Sequence, residues 1–271
     1  MLSEIFPPED VGRISSMPSM EEPETLDLAA VYNEQPGDLT GVDCPVCRNK
    51  GYVARLDERG GLVLAPCKCQ VQRRVSKRFE ESGLGSLVER CTFDTYRTPE
   101  AWQRAALSSA RAFAADPMNP ATPDGSCNWF YLCGPSGTGK THLCTAVCAE
   151  LICAGYDARY MLWREDAPQL KAYVNGNYDR YAALIDELFN VRVLYIDDFL
   201  KGRITDADIN LAFELINARY NRRETAITII SSELDLGTVT KLDEALGGRI
   251  YERARNYSCR TGGENWRFKR R

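Results

Sequence analysis

The stretch Trp129–Thr141 reads WFYLCGPSGTGKT. Its first five residues, Trp129–Cys133, are apolar or aromatic and predict a buried strand, and the glycine-rich segment after them predicts a tight loop. The residues that follow favour a helix that continues to about Cys153. A buried strand, a glycine-rich loop and a helix in this order are typical of one repeating unit of an open α/β sheet.

The chain beyond this stretch continues to alternate strands with helices. Strands are predicted at Asp157–Trp163, Val191–Ile196 and Ala226–Ser231. Helices are predicted at Asp206–Arg222 and Lys241–Arg255, and two further helical stretches at about 165–175 and 178–189. Strands that alternate with helices imply a parallel sheet that helices cover on both faces.

The loop Gly134–Thr141 fits the pattern G-x-x-x-x-G-K-[ST] without deviation. Its glycines allow backbone angles that point successive N–H groups inward as an anion nest, and the next helix adds its positive N-terminus. In such a loop Lys140 reaches the phosphates of a nucleotide and the Thr141 hydroxyl binds Mg²⁺. The alternative is a glycine-rich turn without a ligand. The predicted nucleotide-binding residues are Gly134, Pro135, Ser136, Gly137, Thr138, Gly139, Lys140, Thr141 and His142.

Two acidic residues follow the predicted strand Val191–Ile196. Ligands bind at the carboxyl ends of strands in open α/β sheets, so Asp197 is predicted to hold Mg²⁺ together with Thr141. Asp198 is predicted to act as the general base that polarises the attacking water. The expected reaction is hydrolysis of ATP to ADP and phosphate. The alternative is a pair of capping or turn residues.

Phosphoryl transfer to water usually needs a further cation. Arg249 and Arg253 lie four residues apart on the last predicted helix, and therefore on one face of it. They are candidates for an arginine finger that reaches a neighbouring subunit, which would make hydrolysis depend on self-association. The alternative is a solvated or DNA-facing basic surface.

The chain has eleven cysteines and no recognisable export signal, so clustered cysteines are expected to bind metal rather than form disulfides. Four of them form a C-x₂-C pair and a C-x-C pair separated by 19 residues. Four thiolates suit tetrahedral Zn²⁺, and the metal would supply the folding free energy of so small a module. The alternatives are a redox pair or a disulfide. The predicted zinc ligands are Cys44, Cys47, Cys67 and Cys69.

Length and composition are ordinary for a soluble chain, with 271 residues, 44% of them hydrophobic and 27% charged. No apolar run approaches 18 residues, so no membrane partner and a cytoplasmic location are expected. The net charge of −4 is unevenly spread: residues 1–40 carry −8 and residues 249–271 carry +6. An acidic leader and a basic end predict two different contact surfaces.

These observations predict four segments. They are an acidic flexible leader at 1–40, a zinc-binding module at 41–70, a basic helix and connector at 71–97, and an ATPase domain at 98–271.

The order of five segments resembles that of the DnaC/DnaI-type replicative helicase loaders over roughly residues 41–271. The segments are the two cysteine pairs, YLCGPSGTGKTHL, VLYIDDFLKGRITDADINLAFELINARYNRR, TIISSEL and LGGRIYERAR. The resemblance implies a P-loop NTPase of the AAA+ type that uses ATP to load a hexameric replicative helicase onto single-stranded DNA. It also implies that the N-terminal part binds the helicase and that the protein self-associates through its ATPase domain.

The resemblance assigns roles to individual residues. It implies that Lys140 and Thr141 form the Walker A pair and that Asp197 and Asp198 form the Walker B pair. It further implies that Arg249 is the finger that acts on a neighbouring subunit.

The sensor segment departs from the family pattern. It often reads Thr-Ser-Asn in the family and is Ser231-Ser232-Glu233 here, so the sensor is assigned to Ser232 and Glu233. Because the amide that would position water is missing, slow hydrolysis is expected.

The C-terminal residues interleave basic and aromatic side chains, as single-strand binding requires. The candidate DNA contacts are Arg253, Arg255, Trp266 and Arg267. The alternative is an edge strand whose aromatic side chains pack on the core. Two other functions remain open: a transposition-helper ATPase of the IstB type, and a nucleotide-gated adaptor with little hydrolysis, which Glu233 favours.

Overall fold

A computed structural model of the chain describes residues 28–118, 127–222, 224–263 and 265–269. The chain divides into two compact units with the boundary between Cys69 and Gln70. The first unit carries the four clustered cysteines, and the second carries the glycine-rich loop and the acid pair.

The first unit consists of a short helix and an antiparallel hairpin. Its elements are helix α1 (Leu28–Glu34) and strands β1 (Tyr52–Leu56) and β2 (Leu62–Pro66).

The side chain of Asn33 attaches helix α1 to the hairpin. Asn33 Nδ2 donates to the carbonyl oxygen of Ala54 at 3.0 Å, and Asn33 Oδ1 accepts from the Ala54 N–H at 2.9 Å, so the amide pairs with the strand as another strand would. The segment predicted as a flexible leader over 1–40 therefore contains a helix from Leu28 to Glu34. Residues 1–27 lie outside the described residues.

The second unit alternates helices with five strands. Its first helices are α2 (Cys69–Ser82), whose first residue still belongs to the first unit, α3 (Leu87–Arg90) and α4 (Ala101–Ala115). The remaining elements in chain order are β3 (Trp129–Cys133), α5 (Lys140–Cys153), β4 (Ala158–Leu162), α6 (Trp163–Gly176), α7 (Tyr178–Asn190), β5 (Val193–Phe199), α8 (Asp206–Asn221), β6 (Ile227–Ser232), α9 (Leu236–Leu242), α10 (Glu244–Ala254), β7 (Ser258–Arg260) and α11 (Trp266–Lys269).

The five strands form one parallel sheet in the order β4-β5-β6-β3-β7. Cys133 at the end of β3 lies opposite Ser232 at the end of β6, and Phe199 at the end of β5 also lies opposite Ser232. The loop after β3 and the acid pair of β5 therefore meet at one edge of the sheet. The predicted α/β fold class is confirmed.

Side chains of each strand alternate between the two faces of the sheet, and both faces are buried. In β3, Trp129 and Tyr131 belong to the core that includes α6, α7, α8 and α10. Phe130 and Leu132 belong to the core that includes α4 and α5. A strand buried on both faces places both sets of side chains in an apolar core, which explains the uninterrupted apolar run of β3.

The segment predicted as a connector over 71–97 is part of the second unit. Leu84, Phe93 and Tyr96 are buried in the core that contains α5. Burial removes these apolar side chains from water, which explains why the segment packs as part of the second unit and is not only a connector.

The helix predicted over Lys241–Arg255 corresponds to α10, and a separate helix, α9, ends at Leu242 just before it. Asp243 separates them, and its Oδ1 accepts from the Leu246 N–H at 2.7 Å, which caps α10. An aspartate that caps a helix starts a new helix at that point.

Two adjacent glycines of α10 provide a test of this packing. A Cβ on Gly247 would lie 2.6 Å from the Thr240 Cα of α9, whereas a Cβ on Gly248 would meet nothing within 4 Å. Gly247→Ala is therefore expected to reduce the free energy of unfolding by about 1–3 kcal/mol. Gly248→Ala, the matched control, is expected to increase it by about 0.5–1 kcal/mol, because alanine favours the helix. Chemical denaturation measures both, and a change of the same sign would contradict the packing.

Candidate nucleotide-binding site and zinc module

The glycine-rich loop adopts backbone angles that favour glycine. Gly137 and Gly139 have φ angles of 76° and 87°, in the left-handed region. Gly139 immediately precedes α5, so the positive N-terminus of that helix faces the loop. The segment therefore has the form of an anion nest that leads into a helix.

Lys140 is folded back onto this loop. Its ammonium group donates to the carbonyl oxygens of Gly134 and Pro135, each at 2.9 Å, and the residue is buried. Burial lowers the pKa of Lys140, and the nearby carboxylates of Glu233 and Asp198 act in the opposite direction. The ammonium must exchange these carbonyls for phosphate oxygens when a nucleotide binds.

Asp197 is buried and accepts hydrogen bonds from three surrounding elements. Thr141 of α5 and Tyr160 of β4 each donate at 3.2 Å, and Ser231 of β6 also donates to it. A buried carboxylate is stable only when it is hydrogen-bonded or paired with a cation. The oxygens of Thr141 and Asp197 are the ligand type that Mg²⁺ prefers, so the pair fits the predicted magnesium site.

Asp198 faces a cleft of about 320 Å³ beside the phosphate loop. Its carboxylate is paired with Lys201, whose Nζ is 3.2 Å from each of its oxygens. Lys201 is not among the site residues predicted from the sequence. It belongs to the site only because the chain turns after Asp198 and brings the Lys201 side chain back to that carboxylate. The cleft is lined by Ser136, Gly137, Gly139, Lys140, Thr141, His142, Asp198, Lys201, Trp266 and Arg267.

The two serines of the predicted sensor segment differ in their contacts. Ser232 donates to the carbonyl oxygen of Phe199 at 2.8 Å and does not contact the acid pair, whereas Ser231 contacts Asp197. Alternation along β6 explains this, since Ser231 continues the face of Ile229, which packs with α5. The same alternation, read from the sequence, would have selected Ser231. Glu233 lies at the cleft, where its Oε1 is 2.9 Å from Lys201 Nζ.

Two other predicted loop residues hold the loop in place. Thr138 Oγ1 donates to the Pro135 carbonyl oxygen at 2.8 Å and lies 2.7 Å from Thr261 Oγ1. His142 Nε2 donates to the Thr92 carbonyl oxygen at 2.9 Å.

The C-terminal residues lie against the phosphate loop. The Trp266 N–H donates to the Gly137 carbonyl oxygen at 3.0 Å, and Trp266 and Arg267 line the cleft. These two predicted DNA contacts therefore face the nucleotide site. Tyr257, just before the edge strand β7, packs against Phe113 with ring centroids 5.1 Å apart, as the alternative interpretation of this segment expected.

The arginines of α10 differ in exposure. Arg253 is only 2% exposed and donates to the Tyr220 carbonyl oxygen, so DNA contact by Arg253 is not supported. Arg255 is exposed. Arg249 is half-buried, with its Nε 3.0 Å from Asn217 Oδ1 and its guanidinium 4.9 Å from the centre of the Phe213 ring. Its role as a finger toward a neighbouring subunit stays a prediction.

The four predicted zinc ligands are brought together in the first unit. All four sulfur atoms lie within 4.8 Å of one another and all four cysteines are buried, with Cys44 Sγ 3.8 Å from Cys67 Sγ and Cys47 Sγ 3.5 Å from Cys69 Sγ. Sulfurs around tetrahedral Zn²⁺ lie about 3.8 Å apart, given a Zn–S bond of about 2.3 Å.

The thiol chemistry of this cluster also suits a metal. Burial would raise the pKa of Cys47, but the hydrogen bond from the Gly51 N–H and those with the other three cysteines lower it to about 6. A thiolate is the form that binds Zn²⁺. The structure has no disulfide among these four cysteines, and the donor set fits Zn²⁺.

The sequence profile of the family described as "IstB-like ATP binding protein" matches residues 126–271, more than half of the chain. The chain belongs to this family. The matched residues include the phosphate loop, the acid pair and the C-terminal segment that lies against the loop.

Relatives and solved structures agree with this IstB-like assignment. The chain is 30% identical over 230 residues to the phage-like element PBSX protein XkdC of Bacillus subtilis, covering 81% of this chain and 82% of XkdC. It is 26% identical over 182 residues to the replicative helicase loader DnaC of Escherichia coli K12, covering 67% and 70%. A crystal structure of the DnaC helicase loader has the same fold, with a TM-score of 0.55, 22% identity and coverage of 65% of this chain and 98% of that one.

The structural neighbours confirm the AAA+ form of the P-loop fold. In this IstB-like protein, helices α6 and α7 lie between β4 and β5, where the two extra helical stretches are predicted. None of the helices within the described ranges is long and apolar enough to cross a membrane.

Lys140 gives a direct test of nucleotide binding. Lys140→Ala removes the loop cation and is expected to weaken ATP binding by about 100-fold, the size of effect expected from losing hydrogen bonds to a charged ligand. Titration calorimetry measures the affinity, and Lys241→Ala on the exposed surface of α9 is the control. An affinity within a few-fold of that of the wild type would refute the assignment.

The cysteine cluster gives a second test. Elemental analysis of the purified protein is expected to find about one Zn²⁺ per chain, and Cys47→Ser is expected to reduce that content several-fold, since it removes one of four thiolates. Cys153→Ser is the matched control, because Cys153 is exposed and lies outside the cluster. Freshly purified wild-type protein without zinc would contradict the site.

Proposed function

We propose that this protein is an ATPase that loads a hexameric replicative helicase onto single-stranded DNA. The observation that carries the ATPase part is the acid pair at the cleft: Asp197 is hydrogen-bonded to Thr141, and Asp198 lies open to the same cleft as Lys140. Membership of an ATP-binding family and similarity to a protein named replicative helicase loader support the proposal.

The proposed reaction transfers the γ-phosphoryl group of ATP to water. The water oxygen bonds to the γ-phosphorus, the bond to the β–γ bridging oxygen breaks with its electrons going to ADP, and Asp198 accepts the proton of the water. Lys140 leaves the carbonyls of Gly134 and Pro135 to bind the phosphates. Magnesium bound by Thr141 and Asp197 would neutralise part of the phosphate charge.

The helicase is proposed to bind the zinc module. Three leucines on one face of its hairpin are exposed, with Leu56 at 52%, Leu62 at 46% and Leu64 at 47%. Exposed apolar side chains that lie together mark surfaces that bind other proteins. Single-stranded DNA is proposed to bind a basic surface of the self-associated protein, with Arg255 as the exposed candidate from the predicted set.

One observation favours the nucleotide-gated adaptor as a second candidate. Asp198 is held by Lys201, so in this conformation the base is not free to accept a proton. The two functions differ in hydrolysis, not in nucleotide binding.

The test is a single-turnover ATPase assay combined with a pull-down of the hexameric replicative helicase from the same organism. ATP is expected to strengthen binding of a single-stranded oligonucleotide, and the helicase is expected to bind. Asp198→Asn is expected to slow hydrolysis by about 100-fold or more while ATP binding changes little, because general-base catalysis contributes about 10²–10⁴-fold.

The control is Asp206→Asn, which changes an exposed aspartate in the first turn of α8. Hydrolysis unchanged by Asp198→Asn would favour the adaptor. A preference for duplex DNA with no helicase binding would favour the transposition-helper function, and failure of both helicase binding and single-strand binding would remove the loader.

A further inference from the structure

In the cleft beside the phosphate loop, one lysine forms an ion pair with two carboxylates. Lys201 Nζ lies 3.2 Å from the Asp198 carboxylate and 2.9 Å from Glu233 Oε1. The side chain of Lys201 is 23% exposed, so the pair is partly shielded from water and its interactions are stronger than those of a surface pair. Lys201 lines the same cleft as Lys140 and Thr141.

The backbone at the end of β5 is strained in a way that produces this pair. Asp198 and Leu200 both have a φ of 55°, in the left-handed region that residues other than glycine rarely adopt. The turn is closed by a hydrogen bond from the Lys201 N–H to the Asp198 carbonyl oxygen at 3.0 Å. It is held to β6 by Ser231, whose Oγ accepts from the Asp198 N–H at 3.1 Å. Strain that the surroundings hold in place tends to occur at functional sites.

A triphosphate in the cleft would compete with the two carboxylates for the ammonium group of Lys201. Lys201 faces two carboxylates, and a triphosphate entering the cleft brings further oxygens that form charge-assisted hydrogen bonds with an ammonium group. The hydrogen bonds with Glu233 and Asp198 raise the pKa of Lys201 although burial opposes them. The side chain is therefore protonated, as binding to phosphate requires.

We propose that Lys201 is a γ-phosphate-binding residue, and that its transfer from Asp198 to the γ-phosphate frees Asp198 to accept the proton of the attacking water. ADP has no γ-phosphate, so with ADP bound Lys201 stays on Asp198 and Glu233. Lys201 thereby distinguishes ATP from ADP and supplies a cation from within the same chain. The second step rests on the proposed ATP hydrolysis, and the first does not.

This role also gives Glu233 a function. A carboxylate at this position is a counter-ion for Lys201, and an asparagine amide has no charge with which to hold it. Burial raises the pKa of Glu233, but its hydrogen bond with Lys201 and the charge of Lys201 outweigh burial and lower it. Glu233 is therefore ionised and competes with the γ-phosphate for the same ammonium group.

The test measures the affinities for ADP and for a non-hydrolysable ATP analogue by fluorescence titration. Lys201→Met is expected to weaken binding of the ATP analogue by about 10- to 100-fold and binding of ADP by less than about two-fold, as expected for loss of hydrogen bonds to a charged group. Lys201→Arg is expected to keep most of the preference for the analogue. Lys241→Met, on the exposed surface of α9, is the matched control and is expected to change neither affinity.

Glu233→Gln is expected to act in the opposite direction. It removes one competitor for Lys201 and is expected to raise the preference for the ATP analogue over ADP by about three- to ten-fold, with no such gain in the Lys201→Met background. A role of the ion pair in folding alone would instead make Lys201→Met and Glu233→Gln both lower the thermal midpoint and leave the preference unchanged.

Equal weakening of ADP and ATP-analogue binding by Lys201→Met would overturn the proposal, as would a gain from Glu233→Gln that persists without Lys201. The same wild-type protein is assayed for single-turnover hydrolysis. Absence of hydrolysis would contradict the proposed ATPase and the freeing of Asp198, whereas the preference for the ATP analogue tests phosphate binding by Lys201 separately.

Discussion

The alignment of the elements in the second unit depends on the hydrogen bonds that one buried carboxylate accepts. Asp197 accepts hydrogen bonds from Thr141, Tyr160 and Ser231, which belong to α5, β4 and β6. Leaving such a group without partners costs several kcal/mol, so the elements that supply the donors are held in register. The alignment that stabilises the charge also places the phosphate loop, the acid pair and the sensor strand within one cleft.

Much of this arrangement follows from local sequence patterns. The apolar run of β3 and the glycine-rich loop predict the strand, the loop and the helix after it, because each signal lies within a few residues of the structure that it specifies. The grouping of Cys44, Cys47, Cys67 and Cys69 around one metal site is predictable for the same reason, since spacing and residue type together restrict the metal chemistry.

The features that were missed depend on contacts between distant segments or on backbone angles. Which of Ser231 and Ser232 contacts Asp197 depends on the face of β6, and the burial of Arg253 depends on its carbonyl partner Tyr220, which belongs to α8. Lys201 reaches the site because Asp198 and Leu200 have positive φ angles. Such angles are rare in residues other than glycine, so the sequence does not predict them here. Sequence periodicity carries no information about such a turn.

The seating of Trp266 on the phosphate loop has a practical consequence for studying the protein. Its backbone N–H is bonded to Gly137, and the residue lines the cleft beside Lys140. A nucleotide that enters the cleft would change the surroundings of the indole ring. The fluorescence of Trp266 would therefore report nucleotide binding without an added label.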